Sequence, residues 1–166
     1  RPEQFGSVVM AAPLVDFFAI DGTARLLRIP VLGELLIDSY VVPMLVRRRT
    51  RRYREIEGGR FVQMFRNQLK LAGFGRSLLS LVRSGALGDQ RESYRGITGL
   101  PNPIMLVRGT ADQIMTDAQM SGLQLLLPQA TVKMVPHASH ALMLTHPREV
   151  ARQVIEFLML AQSTEW

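Results

Sequence analysis

The feature that most restricts the fold lies in the last third of the chain, where two short aliphatic runs alternate with two amphipathic helix patterns. Pro103-Ile104-Met105-Leu106-Val107 reads as a buried strand, stopped at Gly109. Met120, Leu123, Leu126 and Leu127 recur at helical spacing and end at Pro128. Thr131-Val132-Lys133-Met134-Val135 reads as a second strand, closed by Pro136. Pro147 then opens a helix over Arg148 to Leu160 whose Val150, Val154, Ile155 and Leu158 are expected to face inward. Strand, helix, strand, helix in about sixty residues is the grammar of a parallel α/β sheet, because parallel neighbours need a crossover and a helix supplies it.

A third aliphatic run, Ser7-Val8-Val9-Met10-Ala11-Ala12-Pro13, fits another parallel strand, covered on both faces. Arg1 to Gly6 reads as the tail of a helix and its connection. From Val15 to Tyr94 the texture is helical. Leu32, Leu35 and Leu36 follow Pro30 at helical spacing, and Phe61, Met64, Phe65 and Leu69 form a one-sided stripe. Leu78, Leu79, Leu81 and Val82 make a short helix that ends near Gly85 or Gly88. No strand pattern interrupts this zone, so it reads as a helical insertion.

Composition narrows the chemistry. The chain has 166 residues, 47% of them hydrophobic, enough for a packed core. It has no cysteine, which removes disulfides, thiolate metal sites and a cysteine nucleophile. The three histidines, His137, His140 and His146, fall within ten residues, whereas a structural zinc site needs four ligands, normally from separated positions. Neither metal nor organic cofactor is called for. The apolar stretch Ile29 to Val46 is broken by Pro30, Glu34, Asp38 and Pro43, so it is no spanning helix, which needs about 20 mostly apolar residues. No charged-then-apolar leader follows Arg1, and the expectation is a cytoplasmic protein. The formal charge of +6 is concentrated in Arg47, Arg48, Arg49, Arg51, Arg52 and Arg54. Tyr53 is the one interleaved aromatic, which favours a solvated face or helix end over a nucleic-acid or anionic-membrane patch.

Functional groups of parallel sheets gather in loops past the carboxyl ends of the strands. Two such loops exist here. Arg108-Gly109-Thr110-Ala111-Asp112 leaves the first strand, and Pro136-His137-Ala138-Ser139-His140 leaves the next. A carboxylate there can hold the Nδ1 proton of an imidazole and stabilise the imidazolium formed on proton abstraction. The alternative reading makes Asp112 a turn or cap residue and His140 a packed, hydrogen-bonded histidine. Spacing alone leaves both open.

The segment Pro103 to Asp112 resembles the seventh strand and acid loop of the α/β-hydrolase superfamily. His137-Ala138-Ser139-His140-Ala141-Leu142-Met143-Leu144-Thr145-His146-Pro147 is similar to that superfamily's histidine loop, and Arg1 to Pro13 to the approach to its sixth strand. The resemblance implies the C-terminal portion of an α/β-hydrolase parallel sheet with an inserted helical cap: core over 1–14, cap over 15–95, core over 96–166. It matches Asp112 to the triad acid and His140 to the triad base, in the family's chain order. His137 falls where the family has glycine and ranks below His140 as the base; His146 is placed to cap the last helix; Asp117 is a weaker alternative acid. Met115 stands where the family often has proline, and Ser139 where glycine usually precedes the histidine.

No G-x-S-x-G occurs in the chain. The resemblance therefore implies a fragment of a serine-type hydrolase that retains acid and histidine but lacks the nucleophile and oxyanion donors. It would act on an ester, thioester or related acyl bond of a small hydrophobic substrate and be inactive alone. The scaffold also hosts dehalogenases, epoxide hydrolases, carbon–carbon bond hydrolases and cofactor-free haloperoxidases. The alternative is a non-catalytic relative that binds a partner or membrane through its arginine cluster. Loss of sheet neighbours beside Val8–Ala11 would leave an apolar edge and an expectation of aggregation in isolation.

Overall fold

A computed structural model describes residues 6–16, 22–54 and 59–163. The helix tail expected over Arg1 to Phe5 lies outside them. The chain divides into two compact units, one of residues 1–16 and 90–166, the other of Phe17–Asp89.

The first unit is built on three parallel strands, β1 (Val8–Ala11), β2 (Ile104–Gly109) and β3 (Thr131–Val135), in the order β1-β2-β3. Val8 pairs with Ile104 and Ala11 with Val107, while Met105 pairs with Thr131 and Gly109 with Val135. β2 is central, and every one of its residues is buried. Its alternating side chains explain why the run is apolar on both parities. Ile104 and Leu106 pack with Met115, Met120, Leu123 and Leu127 on one face, Met105 and Val107 with Val135, Leu142, Val150 and Phe157 on the other. β1 is only half-buried along its length, short of the two-sided cover its composition suggests, because it pairs with β2 alone among the described residues.

Helices supply the two covering layers. In α6 (Asp117–Leu126), the Thr116 hydroxyl caps the first turn by accepting the Gln119 N–H at 3.3 Å. The short α5 (Arg91–Arg95) packs with α6, and Tyr94 donates its hydroxyl to the Leu14 carbonyl at 2.7 Å. Val15 is buried in the same core. The sheet unit thus reclaims Val15 and Arg91–Arg95, which the expected boundaries at 15 and 95 assign to the insertion. After the short α7 (Leu142–Thr145), α8 (Pro147–Ser163) docks Val150, Gln153 and Phe157, with Val154 half-buried. The Gln153 amide donates to the Met134 carbonyl of β3 at 3.3 Å. Ile155 and Leu158, expected to face inward, are exposed. The docked stripe follows Val150 by three, four and seven positions, and Ile155 lies off that phase.

In the second unit a 3₁₀ helix (Gly22–Arg28) precedes α1 (Leu32–Leu36), a π turn (Ile37–Val41) and α2 (Val42–Arg52), which run on as one long helix. Pro43 sits at its junction: proline has no N–H for the carbonyl four residues back, and the wide π turn just before it relieves the clash of its ring. α3 (Arg60–Leu69) and α4 (Phe74–Arg83) follow. In α3, Val62 is buried and Met64, expected in the stripe, is exposed. Leu27, Ile37, Leu79 and Val82 form the unit's core. Arg83 clamps it by donating to the Leu27 and Ile29 carbonyls at 3.3 Å and to both oxygens of Glu34 at 2.5 and 2.8 Å. That guanidinium holds the Glu34 carboxyl down to about 2. Gly85, with φ +82, follows α4 where the sequence places its end. Among the described residues no helix is long and apolar enough to cross a membrane.

Candidate active site

The site is assembled by the connections that leave β2 and β3 at the same end of the sheet. Because Gly109 and Val135 are register partners, the two loops start level with each other. They are then stitched together. The Thr110 N–H donates to the Val135 carbonyl at 3.0 Å, the Ala111 N–H to the Ala138 carbonyl at 2.9 Å, and the His137 N–H to the Thr110 hydroxyl at 2.8 Å. Ala138 has no exposed surface, and its carbonyl crosses directly over Gly109, where a Cβ would overlap it. Glycine at 109 is therefore demanded by the neighbouring loop.

Asp112 is buried, 4% exposed, and its two oxygens do different work. Oδ1 accepts the N–H groups of Ile114 at 2.8 Å and Met115 at 3.0 Å, closing a turn around the carboxylate. Oδ2 meets Nδ1 of His140 at 3.0 Å. Burial pushes this carboxyl up, but the His140 hydrogen bond and the Met115 and Ile114 N–H groups outweigh it and hold the carboxyl below its ordinary value. The His140 side chain keeps 36% of its surface open, while that of Asp112 keeps none. The pair is thus a buried anion holding a partly open imidazole by one nitrogen.

The other sequence candidates lie apart from this contact. His137 is exposed at φ +58, the left-handed region that favours glycine, which accounts for the glycine expected at that position. Nδ1 of His146 hydrogen-bonds the Thr145 hydroxyl at 2.8 Å, and its carbonyl accepts the Val150 N–H at 3.1 Å, so its role at the start of α8 is a backbone one. Asp117 has a 92% exposed side chain and is engaged by Arg108.

Three supporting features escape a reading of the loops as strings of side chains. Arg108 belongs to β2 and is buried; it donates to the Asp112 carbonyl at 3.2 Å as well as to Asp117, bracing the acid loop from beneath. The N–H groups of Ile114 and Met115 are backbone and leave no compositional trace. Met115 has an N–H to give Asp112 where a proline would have none. Among the described residues no three His, Asp or Glu side chains gather as a metal site.

The structure thus sets a buried carboxylate past the central strand of a parallel sheet against a histidine from the loop after the next strand. The chain belongs to the alpha/beta hydrolase family, whose model matches residues 4–153. Its fold is similar to that of a thermophilic esterase from Thermogutta terrifontis, with TM-score 0.63 and 15% identity over 96% of this chain and 58% of that one. A carboxylesterase of the thaumarchaeon Nitrososphaera gargenis gives TM-score 0.67 and 10% identity over 99% and 59%. The enol-lactonase of Burkholderia xenovorans LB400 gives TM-score 0.57 and 18% identity over 95% and 57%. These are likenesses of fold, and the chain spans 57–59% of the length of those three proteins. No curated protein matches it.

Proposed function

We propose that Asp112 and His140 are the acid and base of a serine-type catalytic triad, in a hydrolase of an ester, thioester or related acyl bond. The observation that carries this reading is the 3.0 Å contact between Oδ2 of a fully covered carboxylate and Nδ1 of a partly open imidazole. With its Nδ1 proton committed to Asp112, the ring presents Nε2 as the free base. Nε2 takes the proton of the attacking hydroxyl and returns it to the leaving group. Asp112, held anionic by its three donors, fixes that tautomer and offsets the charge of the imidazolium.

The nucleophile and the backbone donors of the oxyanion hole belong, in this reading, to residues outside these 166. Two facts support it: no G-x-S-x-G is present, and the chain spans under two thirds of its structural relatives. The leucine, phenylalanine and methionine content of residues 17–89, which we read as the cap, supports a hydrophobic acyl group as substrate.

The test is hydrolysis of p-nitrophenyl butyrate by the complete polypeptide. His140→Ala is expected to abolish turnover while leaving the circular-dichroism spectrum unchanged. Full turnover by that variant would remove His140 from the mechanism. The 166-residue chain by itself is expected to show no turnover that depends on Asp112.

A further inference from the structure

The charge of the molecule is segregated in a way the hydrolase chemistry does not use. Thirteen of the twenty Lys and Arg residues, but only six of the fourteen Asp and Glu, fall between residues 17 and 89. The helical unit is therefore at +7 and the sheet unit at −1. The excess centres on α2, where Arg47, Arg48, Arg49 and Arg51 are all exposed. Arg49 is occupied, lying 5.8 Å from the Tyr53 ring centroid and 5.9 Å from that of Phe65. Arg47, Arg48 and Arg51 meet no carboxylate among the described residues. A helix end accounts for cations only in its last turn, and Arg47 and Arg48 lie before the last turn of α2.

The same long helix turns apolar side chains to solvent upstream of the arginines. Tyr40 is 63% exposed, and Leu35, five positions earlier in α1, is 64% exposed. Tyr40, Arg47 and Arg51 are separated by seven and four positions, spacing that keeps them along one side of the helix. Exposed apolar and tyrosyl groups followed by exposed cations are the arrangement of a helix lying in a lipid interface, with rings and aliphatics at headgroup level and guanidinium groups on phosphates. A single-stranded nucleic acid would require rings open for stacking between the cations. Tyr53, the aromatic inside the arginine run, is instead buried, edge-on against Phe61 at 5.1 Å and capped by Arg49.

We propose that the helix Leu32–Arg52 docks this protein on an anionic lipid surface, with Leu35 and Tyr40 entering the interface and Arg47, Arg48 and Arg51 on lipid phosphates. The proposal is independent of the catalytic roles of Asp112 and His140.

The test is flotation of the full chain with vesicles of phosphatidylcholine alone or of equal parts phosphatidylcholine and phosphatidylserine, so that bound protein rises and aggregates sediment. Flotation is expected only with the mixed vesicles, declining steeply with salt. Changing Arg47, Arg48 and Arg51 together to Gln is expected to weaken binding by about two orders of magnitude, at the usual contribution of each cation near an anionic surface. Changing the same three to Lys is expected to preserve binding, and Tyr40→Ser to weaken it at every salt concentration. Equal flotation on neutral vesicles, no flotation at low salt, or full binding by the Gln variant would overturn the proposal. So would tighter, arginine-dependent binding of a single-stranded oligonucleotide in place of the vesicles.

Discussion

Replacing Asp112 by alanine and by asparagine separates the two tasks of its carboxylate. Oδ1 satisfies the Ile114 and Met115 N–H groups, and Oδ2 holds His140. Alanine orphans both N–H groups, and Met115 is buried whereas Ile114 is half-buried and able to find water. At about 1–3 kcal/mol for each buried donor left unsatisfied, the expected loss is roughly 2–4 kcal/mol. Asparagine keeps a carbonyl oxygen where Oδ1 stood, so both N–H bonds survive and the loss falls to about 1 kcal/mol, the difference between a charged and a neutral acceptor. It also turns an NH₂ toward Nδ1, which forces the proton onto Nε2 and removes the free base. For the complete polypeptide the proposed triad predicts that both variants lose about four orders of magnitude in kcat. Urea denaturation of the dilute chain at neutral pH measures the first quantity: with m near 1–3 kcal/mol/M, the alanine midpoint is expected roughly 1 M below the asparagine midpoint. Coincident midpoints would refute the assignment of Oδ1 to the loop. An asparagine variant as active as the parent would refute the assignment of Oδ2 to catalysis.

Further outcomes follow from the same geometry. Because the folded Asp112 carboxyl lies below its ordinary value, its contribution to stability is fully present above the usual aspartate range and is lost as pH falls through the lowered value. The difference in urea midpoint between the parent and Asp112→Asn is therefore expected to shrink in that acid window, and a difference constant with pH would contradict it. Gly109→Ala forces a Cβ into the Ala138 carbonyl and is expected to cost about 1–3 kcal/mol, read as a lowered Tm; an unchanged Tm would show that the loop gives way freely. β1, half-buried and paired on one side among the described residues, predicts self-association that grows with concentration. Light scattering that reports a monomer at every concentration would count against it.

How much of this was legible without coordinates depended on whether the signal was local. β2 announces itself because a strand packed on both faces is apolar on both parities, as Ile104 to Val107 are, and Gly109 closes it; β3, buried only at Val135, is marked by its short run of β-branched residues and by Pro136. The acid and histidine loops were readable for the same reason, since each follows such a strand. The phase of α8 was not: its apolar residues are spread around much of the helix, and burial of Phe157 and Gln153 rather than Ile155 and Leu158 is set by what β3 and α7 offer opposite. Arg108 reads as a loop cation. Only the fold shows it to be the buried continuation of β2, made tolerable by the Asp112 carbonyl and Asp117. Val15 and Tyr94 join the sheet's core through contacts distant in sequence, which no local pattern of the chain signals. The arginine run was visible throughout, but the burial of Tyr53 inside it required the structure.

The account stands on one proton. If the imidazole of residue 140 donates through Nδ1 to the carboxylate of residue 112, proton NMR of the folded chain will show a strongly downfield exchangeable signal, coupled to an imidazole nitrogen and absent from both His140→Ala and Asp112→Asn. A folded chain without that signal, or one in which it persists in Asp112→Asn, would mean that the two side chains are not paired in solution.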